Sequence, residues 1–334
     1  MRAGSSASAA STGASQSLCS SSLSLPPQEA HALRRARSLS LFRNLDGPAN
    51  ELDSWSALFI DGSAFNHSCV ANTYHKTLGD VLVVRARTSI KKGKEVYLSY
   101  APLECLHGAS RAIHLARHFG LGGCPCASCV EERWDLDEIV ENREAILNEV
   151  LDIAQELEHT ADTASGGATS QRWNNLIDLT GAMEGSYFED CTQPQPLLAI
   201  TCATALRAAS FNPSPPLDDE QCTDWYETLL RASGTRIHDS APAWRLDPPP
   251  LYAPMTVVRN SLSRARASLK AGGNDGRARA LGYLSLCAQQ SRIEHGDDLD
   301  RFWARRATSL EGLEPLREPL AELLGEARRR SKTS

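Results

Sequence analysis

Cys124-Pro125-Cys126-Ala127-Ser128-Cys129 constrains this chain more than any other stretch. Three thiols within six residues cannot all pair with one another as disulfides. Their C-x-C-x-x-C spacing does let three thiolates converge on one Zn2+ at about 2.3 Å, with one tetrahedral position left to fill. Any fold must therefore carry a fourth donor to this turn, normally Cys or His. Cys69 is the first candidate, because it sits in a dense polar run, Phe65-Asn66-His67-Ser68-Cys69-Val70-Ala71-Asn72, directly after an apolar segment. His67, His118 and Cys105 are the alternatives. Cys19, Cys105, Cys191, Cys202, Cys222 and Cys287 are scattered through segments that read as helix or loop, so the ten cysteines are not a disulfide framework. This usage reads as an intracellular protein, cytoplasmic or nuclear.

With 334 residues and 41% hydrophobic content the chain can bury a core in each of two domains. A net charge of −6 gives no general attraction to nucleic acid or to anionic membranes, and no apolar run approaches the roughly 20 residues that cross a bilayer. Neither partner is expected. Residues 1–25 are mostly Ser, Ala and Gly, too poor in apolar side chains to offset the entropy of ordering. Residues 1–50 are therefore expected to be disordered. Arg34, Arg35 and Arg37 after Ser-rich sequence also suit an organelle leader in composition, but the first 25 residues hold no convincing amphipathic helix.

From Trp55 the pattern turns to short strands: Ser56 to Ile60, Asp80 to Arg87, and Glu95 to Tyr100 with Val96, Leu98 and Tyr100 on one face. Lys92-Gly93 predicts a turn between the last two. From Trp134 onward the period is helical. Leu136, Ile139, Val140, Leu147, Val150, Leu151, Ala154 and Leu157 predict one apolar stripe. A Thr/Ser/Gly loop is expected at 160–170, helices at 193–209 and 219–232, and extended or turned chain from Pro242 to Pro254. Helices follow at 255–270, 277–293 and 299–309, and a closing stripe runs through Leu313, Leu316, Leu320, Leu323 and Leu324. No tetratricopeptide positions stand out.

Asn66-His67-Ser68-Cys69 with Asn72, then Ile90-Lys91-Lys92-Gly93-Lys94-Glu95-Val96-Tyr97-Leu98-Ser99-Tyr100, then Phe119 and the three clustered cysteines, resemble in order and separation the motifs of SET protein lysine methyltransferases. The nearest likeness is to the SET-and-MYND class and to fungal SET proteins with a helical C-terminal region. The resemblance implies an α+β fold: a partial SET β-fold with a zinc-bound post-SET segment over 51–130, followed by an all-α helical array over 131–334. It implies S-adenosyl-L-methionine as cofactor, held by Asn66 and His67 with Phe119 stacked on the adenine. Tyr100 becomes the active-site tyrosine, orienting the target lysine amine of a histone or other protein by electrostatics rather than covalently. Cys69, Cys124, Cys126 and Cys129 become the zinc ligands. On burial statistics alone, Tyr100 and Phe119 would be ordinary core aromatics.

Ala71 and Lys94 depart from the family pattern at positions that supply no catalytic group. The larger departure is upstream, where the only glycines before Asn66 are Gly4, Gly13, Gly47 and Gly62, so the family's Gly-x-Gly turn is missing. The first half of the domain is expected to be absent or replaced. Two alternatives follow: a catalytically inactive zinc-stabilised interaction module, and a cysteine hydrolase using Cys69 with His67 or His75. Arg85, Arg87, Lys91, Lys92 and Lys94 read as a solvated strand face. Glu131, Glu132, Asp135 and Asp137 around Trp134 read as acids at a helix start, where the dipole favours them. Arg328-Arg329-Arg330 suits a helix C-terminus.

Overall fold

Val81–Ala86, rich in β-branched residues, forms strand β3 and pairs antiparallel with β2, Thr73–Leu78, in a register from Thr73 opposite Ala86 to Leu78 opposite Val81. This computed structural model describes residues 61–78, 81–101, 108–160, 166–188, 191, 193–211, 218–238, 245–247, 251 and 254–333. The disorder expected for 1–50, the strand at Ser56 to Ile60, and Cys19 and Cys105 lie outside the described residues. β3 was legible in the sequence, whereas its partner β2 was not, since Thr73-Tyr74-His75-Lys76 offers no apolar alternation.

Two further strands of two residues each, β1 (Asn66–His67) and β4 (Tyr97–Leu98), pair in parallel, Asn66 beside Tyr97 and His67 beside Leu98. Parallel neighbours need a crossover, and here the β2–β3 hairpin and the Gly93 turn supply it. Asn72 extends this short ladder with its side chain: Nδ2 donates to the Glu95 carbonyl at 2.9 Å and Oδ1 accepts from Tyr97 N–H at 2.9 Å. The strand expected over Glu95 to Tyr100 is thus shorter in pairing, but Leu98 and Tyr100 are buried as the alternation requires.

Helix α1, Gly108–Phe119, was not foreseen; it follows the strands and turns Arg111, Leu115 and Phe119 inward at four-residue spacing. A short helix α2, Ala127–Glu132, carries the last of the clustered cysteines. Then comes the array: α3 (Asp137–Thr160), α4 (Gly166–Gly185), α5 (Pro196–Phe211), α6 (Asp219–Ala232), α7 (Pro254–Ala271), α8 (Gly273–His295), α9 (Leu299–Arg305) and α10 (Arg317–Thr333). Between α6 and α7 a small hairpin pairs β5 (Arg236–His238) with β6 (Arg245–Asp247). α7 and α8 are joined by Gly272 alone, and Gly272 and Gly273 take φ of 77° and 69°, a left-handed reversal that a β-carbon would strain.

The stripe predicted on α3 needs two corrections. Leu136 is 67% exposed because the helix starts one residue later, and Leu151 is 40% exposed because it stands 100° round from Val150. Ile146 and Ile153 take their places, with Leu147, Val150, Ala154 and Leu157 buried as expected. α4 corrects the loop reading at 166–170 and fills a gap the sequence left unassigned. Its Gly, Thr and Asn are poor helix formers, but Trp173, Leu176, Thr180 and Met183 fall on one face and are all buried. α5 is apolar all round and sits at the centre, as such a helix must. In the closing stripe Leu313, Leu316 and Leu320 are fully buried, and Leu324 packs at the margin.

Two apolar clusters result. One belongs to the array; the other gathers Cys69, Leu98, Tyr100, Leu115, Phe119, Cys124 and Cys129. Arg85 links the hairpin to the array by donating to the Ile293 and Glu294 carbonyls at 3.4 and 3.2 Å, capping the C-terminus of α8. That residue is therefore not part of a free basic face, although Lys91, Lys92 and Lys94 are exposed. Among the described residues no helix is long and apolar enough to cross a membrane.

Candidate metal centre

The sulfurs of Cys69, Cys124, Cys126 and Cys129 all lie within 4.8 Å of one another, with Cys69 and Cys129 at 3.4 Å. Four sulfurs around a tetrahedral ion with Zn–S near 2.3 Å must stand about 3.8 Å apart, so this donor set fits Zn2+. The fourth donor is Cys69, brought by the chain just beyond β1. His67, the nearest alternative, has Nε2 3.2 Å from Cys69 Sγ and Nδ1 on the Tyr100 backbone N–H, and His118 is exposed on α1. Hydrogen bonds from Cys126, Cys129 and Cys69 hold the Cys124 thiol well below its ordinary value, and the sharing of those protons, with Cys124 first, pushes Cys69 far up.

Two cationic or N–H donors stand behind the sulfurs. Arg111, only 4% exposed, approaches Cys129 Sγ with its Nη2 at 3.6 Å and forms an ion pair with Glu132. Burial works against the Arg111 charge, but the Glu132 carboxylate outweighs it and holds the guanidinium above its ordinary value. Gly108 allows the approach, since a β-carbon there would come within 2.5 Å of Glu132 Oε2. Cys124 Sγ accepts from the Cys126 N–H at 3.4 Å. Arg111 and Glu132 carry no motif signal, and sequence reasoning missed both as parts of this site. A cavity of about 370 Å3 lies against Cys124 and Cys129, lined also by Arg111, Glu132, Asp135 and Tyr187.

His67, Tyr100 and Phe119 are gathered on the same cluster and face one another, whereas the Asn66 side chain turns to Glu95. Phe119 is 3% exposed and stacks on Tyr100 with ring centres 4.7 Å apart. The Tyr100 hydroxyl donates to the Phe65 carbonyl, the Asn66 amide donates to Glu95, and Tyr97 O–H donates to the other Glu95 oxygen at 2.9 Å. With the Phe119 ring covered in this way, these side chains as arranged do not fit a stacked adenine. The His67–Cys69 separation of 3.2 Å is that of a nucleophilic pair, yet Cys69 is buried among three other sulfurs, which removes the hydrolase reading. His75, the other base considered, lies on β2, where burial lowers its pKa to about 4.

The acids around Trp134 are mostly spent inside the molecule. Glu132 pairs with Arg111, Asp135 with Arg143 at 2.6 Å, and Glu131 accepts the Cys191 thiol at 3.4 Å.

Residues 15–101 match the SET domain pattern, so the match covers β1 to β4 and also reaches well ahead of Phe65 into residues outside the described ones. A protein of Gibberella zeae (strain ATCC MYA-4620 / CBS 123657 / FGSC 9075 / NRRL 31084 / PH-1), named "Methyltransferase", is 24% identical over 144 residues, covering 42% of this chain and 19% of that protein. Residues 15–101 of the chain are thus similar to a SET domain, and part of the chain is similar to a protein named as a methyltransferase. The shared region spans about a fifth of that relative's length. The SET match ends at residue 101, so α1, the three clustered cysteines and the helical array lie beyond it. The sulfur cluster, through Cys69, joins them to the matched segment, together with the Tyr100–Phe119 stack and the Arg85 bonds to α8.

Proposed function

We propose that the chain is a protein-lysine N-methyltransferase of the SET family, using S-adenosyl-L-methionine, with a zinc ion on Cys69, Cys124, Cys126 and Cys129 bracing its post-SET segment. The observation that carries this reading is convergence: one small cluster joins the four cysteines to His67, Tyr100 and Phe119, all in the family's order, with Asn66 next to His67 on β1. The zinc has a structural role here. Four protein sulfurs close its coordination sphere, whereas a hydrolytic zinc keeps one position for water. A second reading, a zinc-stabilised interaction module without methyl transfer, is favoured by the stack of Phe119 on Tyr100, which covers the ring assigned to the adenine.

Calorimetric titration of the full, metal-loaded chain with S-adenosyl-L-methionine separates the two. The methyltransferase reading predicts saturable heat at one site per chain, accompanied by transfer of labelled methyl groups to lysine in a histone mixture. Absence of heat from a folded, metal-loaded sample would sink that reading and leave the interaction module.

A further inference from the structure

We propose that His67 is a positioning residue that ties the sulfur cage to the main chain of Tyr100. The inference rests on the reading of the four sulfurs as a zinc site. The Nδ1 atom of His67 lies 2.9 Å from the backbone N–H of Tyr100, a group that only donates, so Nδ1 is the acceptor. That places the ring proton on Nε2, which lies 3.2 Å from Cys69 Sγ. The imidazole is then a rigid strut: one edge donates to a metal-ligating sulfur and the other holds the end of β4. It is 7% exposed, and its ring lies 5.2 Å from that of Tyr100, so it has little freedom to leave either partner.

The charge balance gives the strut its purpose. One Zn2+ with four thiolates carries a net charge of −2, and a buried anion of that kind needs donors around it. His67 on Cys69, Arg111 on Cys129 and the Cys126 N–H on Cys124 put a donor on three of the four sulfurs. His67 differs from the other two because its second nitrogen reaches the backbone of Tyr100, two residues beyond β4. Metal on the cysteines thereby fixes where the Tyr100 backbone sits, and loss of the metal frees it. This role differs from the cofactor contact that the family motif assigns to the same residue, and it belongs to the side chain alone, since the main chain of His67 is used in pairing with Leu98.

The test compares the purified full chain with His67→Phe, which keeps a ring but neither nitrogen, and His67→Gln, which keeps a donor and an acceptor. Two quantities are read: the rate at which zinc passes to a colorimetric chelator, and hydrogen exchange at the Tyr100 amide. His67→Phe is expected to release metal about 10- to 100-fold faster, the usual effect of removing a hydrogen-bond partner of a ligand. Its Tyr100 amide should exchange quickly even with metal bound, while His67→Gln stays near wild type. In the wild type, chelation alone should expose that amide. A His67→Phe protein with unchanged release and a protected Tyr100 amide overturns the proposal. If His67→Phe does not fold, a wild-type Tyr100 amide that stays protected after chelation overturns it equally. A wild-type chain that binds no metal overturns the four-sulfur reading itself, which is a different failure.

Discussion

Stripping metal with a strong chelator is expected to unfold Asn66 to Cys129 while leaving the helical array folded. The smaller cluster holds seven buried residues, Cys69, Leu98, Tyr100, Leu115, Phe119, Cys124 and Cys129, and three of those are cysteines proposed to hold the metal. Strands of two residues add little to it. Too little apolar area is left to hold this segment unaided, so most of its stability should come from the metal, on the order of 10 kcal/mol for a structural zinc site. The array has its own core, from Trp173 and Tyr226 to Phe302, and none of the four cysteines belongs to it. Hydrogen exchange should therefore rise through β1, β4, α1 and α2 after chelation and stay low in α5 and α8. Cys124→Ser should reproduce the pattern without a chelator. A chelated protein with unchanged exchange in β1 and β4 would refute the expectation.

Phe119→Ala should cost the SET segment about 3–5 kcal/mol, the usual penalty for emptying a buried phenylalanine site. The ring is 3% exposed, stacks on Tyr100 and lies 5.9 Å from His114, so its removal leaves a cavity beside Cys69 and Leu98. A ring whose only duty was to stack on adenine would be exposed without cofactor, and its loss would leave unliganded stability nearly unchanged. Denaturant titration of the metal-loaded chain, read by exchange at Leu98 and Tyr100, tells these apart. Phe119→Leu, closer in volume, should lose much less.

The sequence made the metal centre legible because cysteine spacing is a local signal with few other physical uses. Three of the converging sulfurs came from one turn and the fourth from a motif sixty residues earlier in the chain, which only the family order could single out from His67, His118 and Cys105. Arg111 and Glu132 were invisible because their pairing is made by tertiary packing of α1 on α2, with no pattern along the chain. The helices of the array were read from period alone and most fell within a few residues. α4 escaped because Gly, Thr and Asn mask a face set by Trp173, Leu176, Thr180 and Met183. Leu136 and Leu151 were assigned to the buried stripe because a stripe read at mixed three- and four-residue steps does not fix where the helix begins. The likeness to a SET domain and to a protein named as a methyltransferase was legible from motif order. The closed stack of Phe119 on Tyr100 was not, since nothing in a sequence says which of two aromatics faces the other.

X-ray absorption at the zinc edge of the purified full chain tests the central claim most directly. Four sulfur neighbours at about 2.3 Å with no nitrogen or oxygen in the coordination sphere is the predicted result. A sphere of three sulfurs and one nitrogen or oxygen, or a chain purified without zinc and unable to take it up, would contradict it.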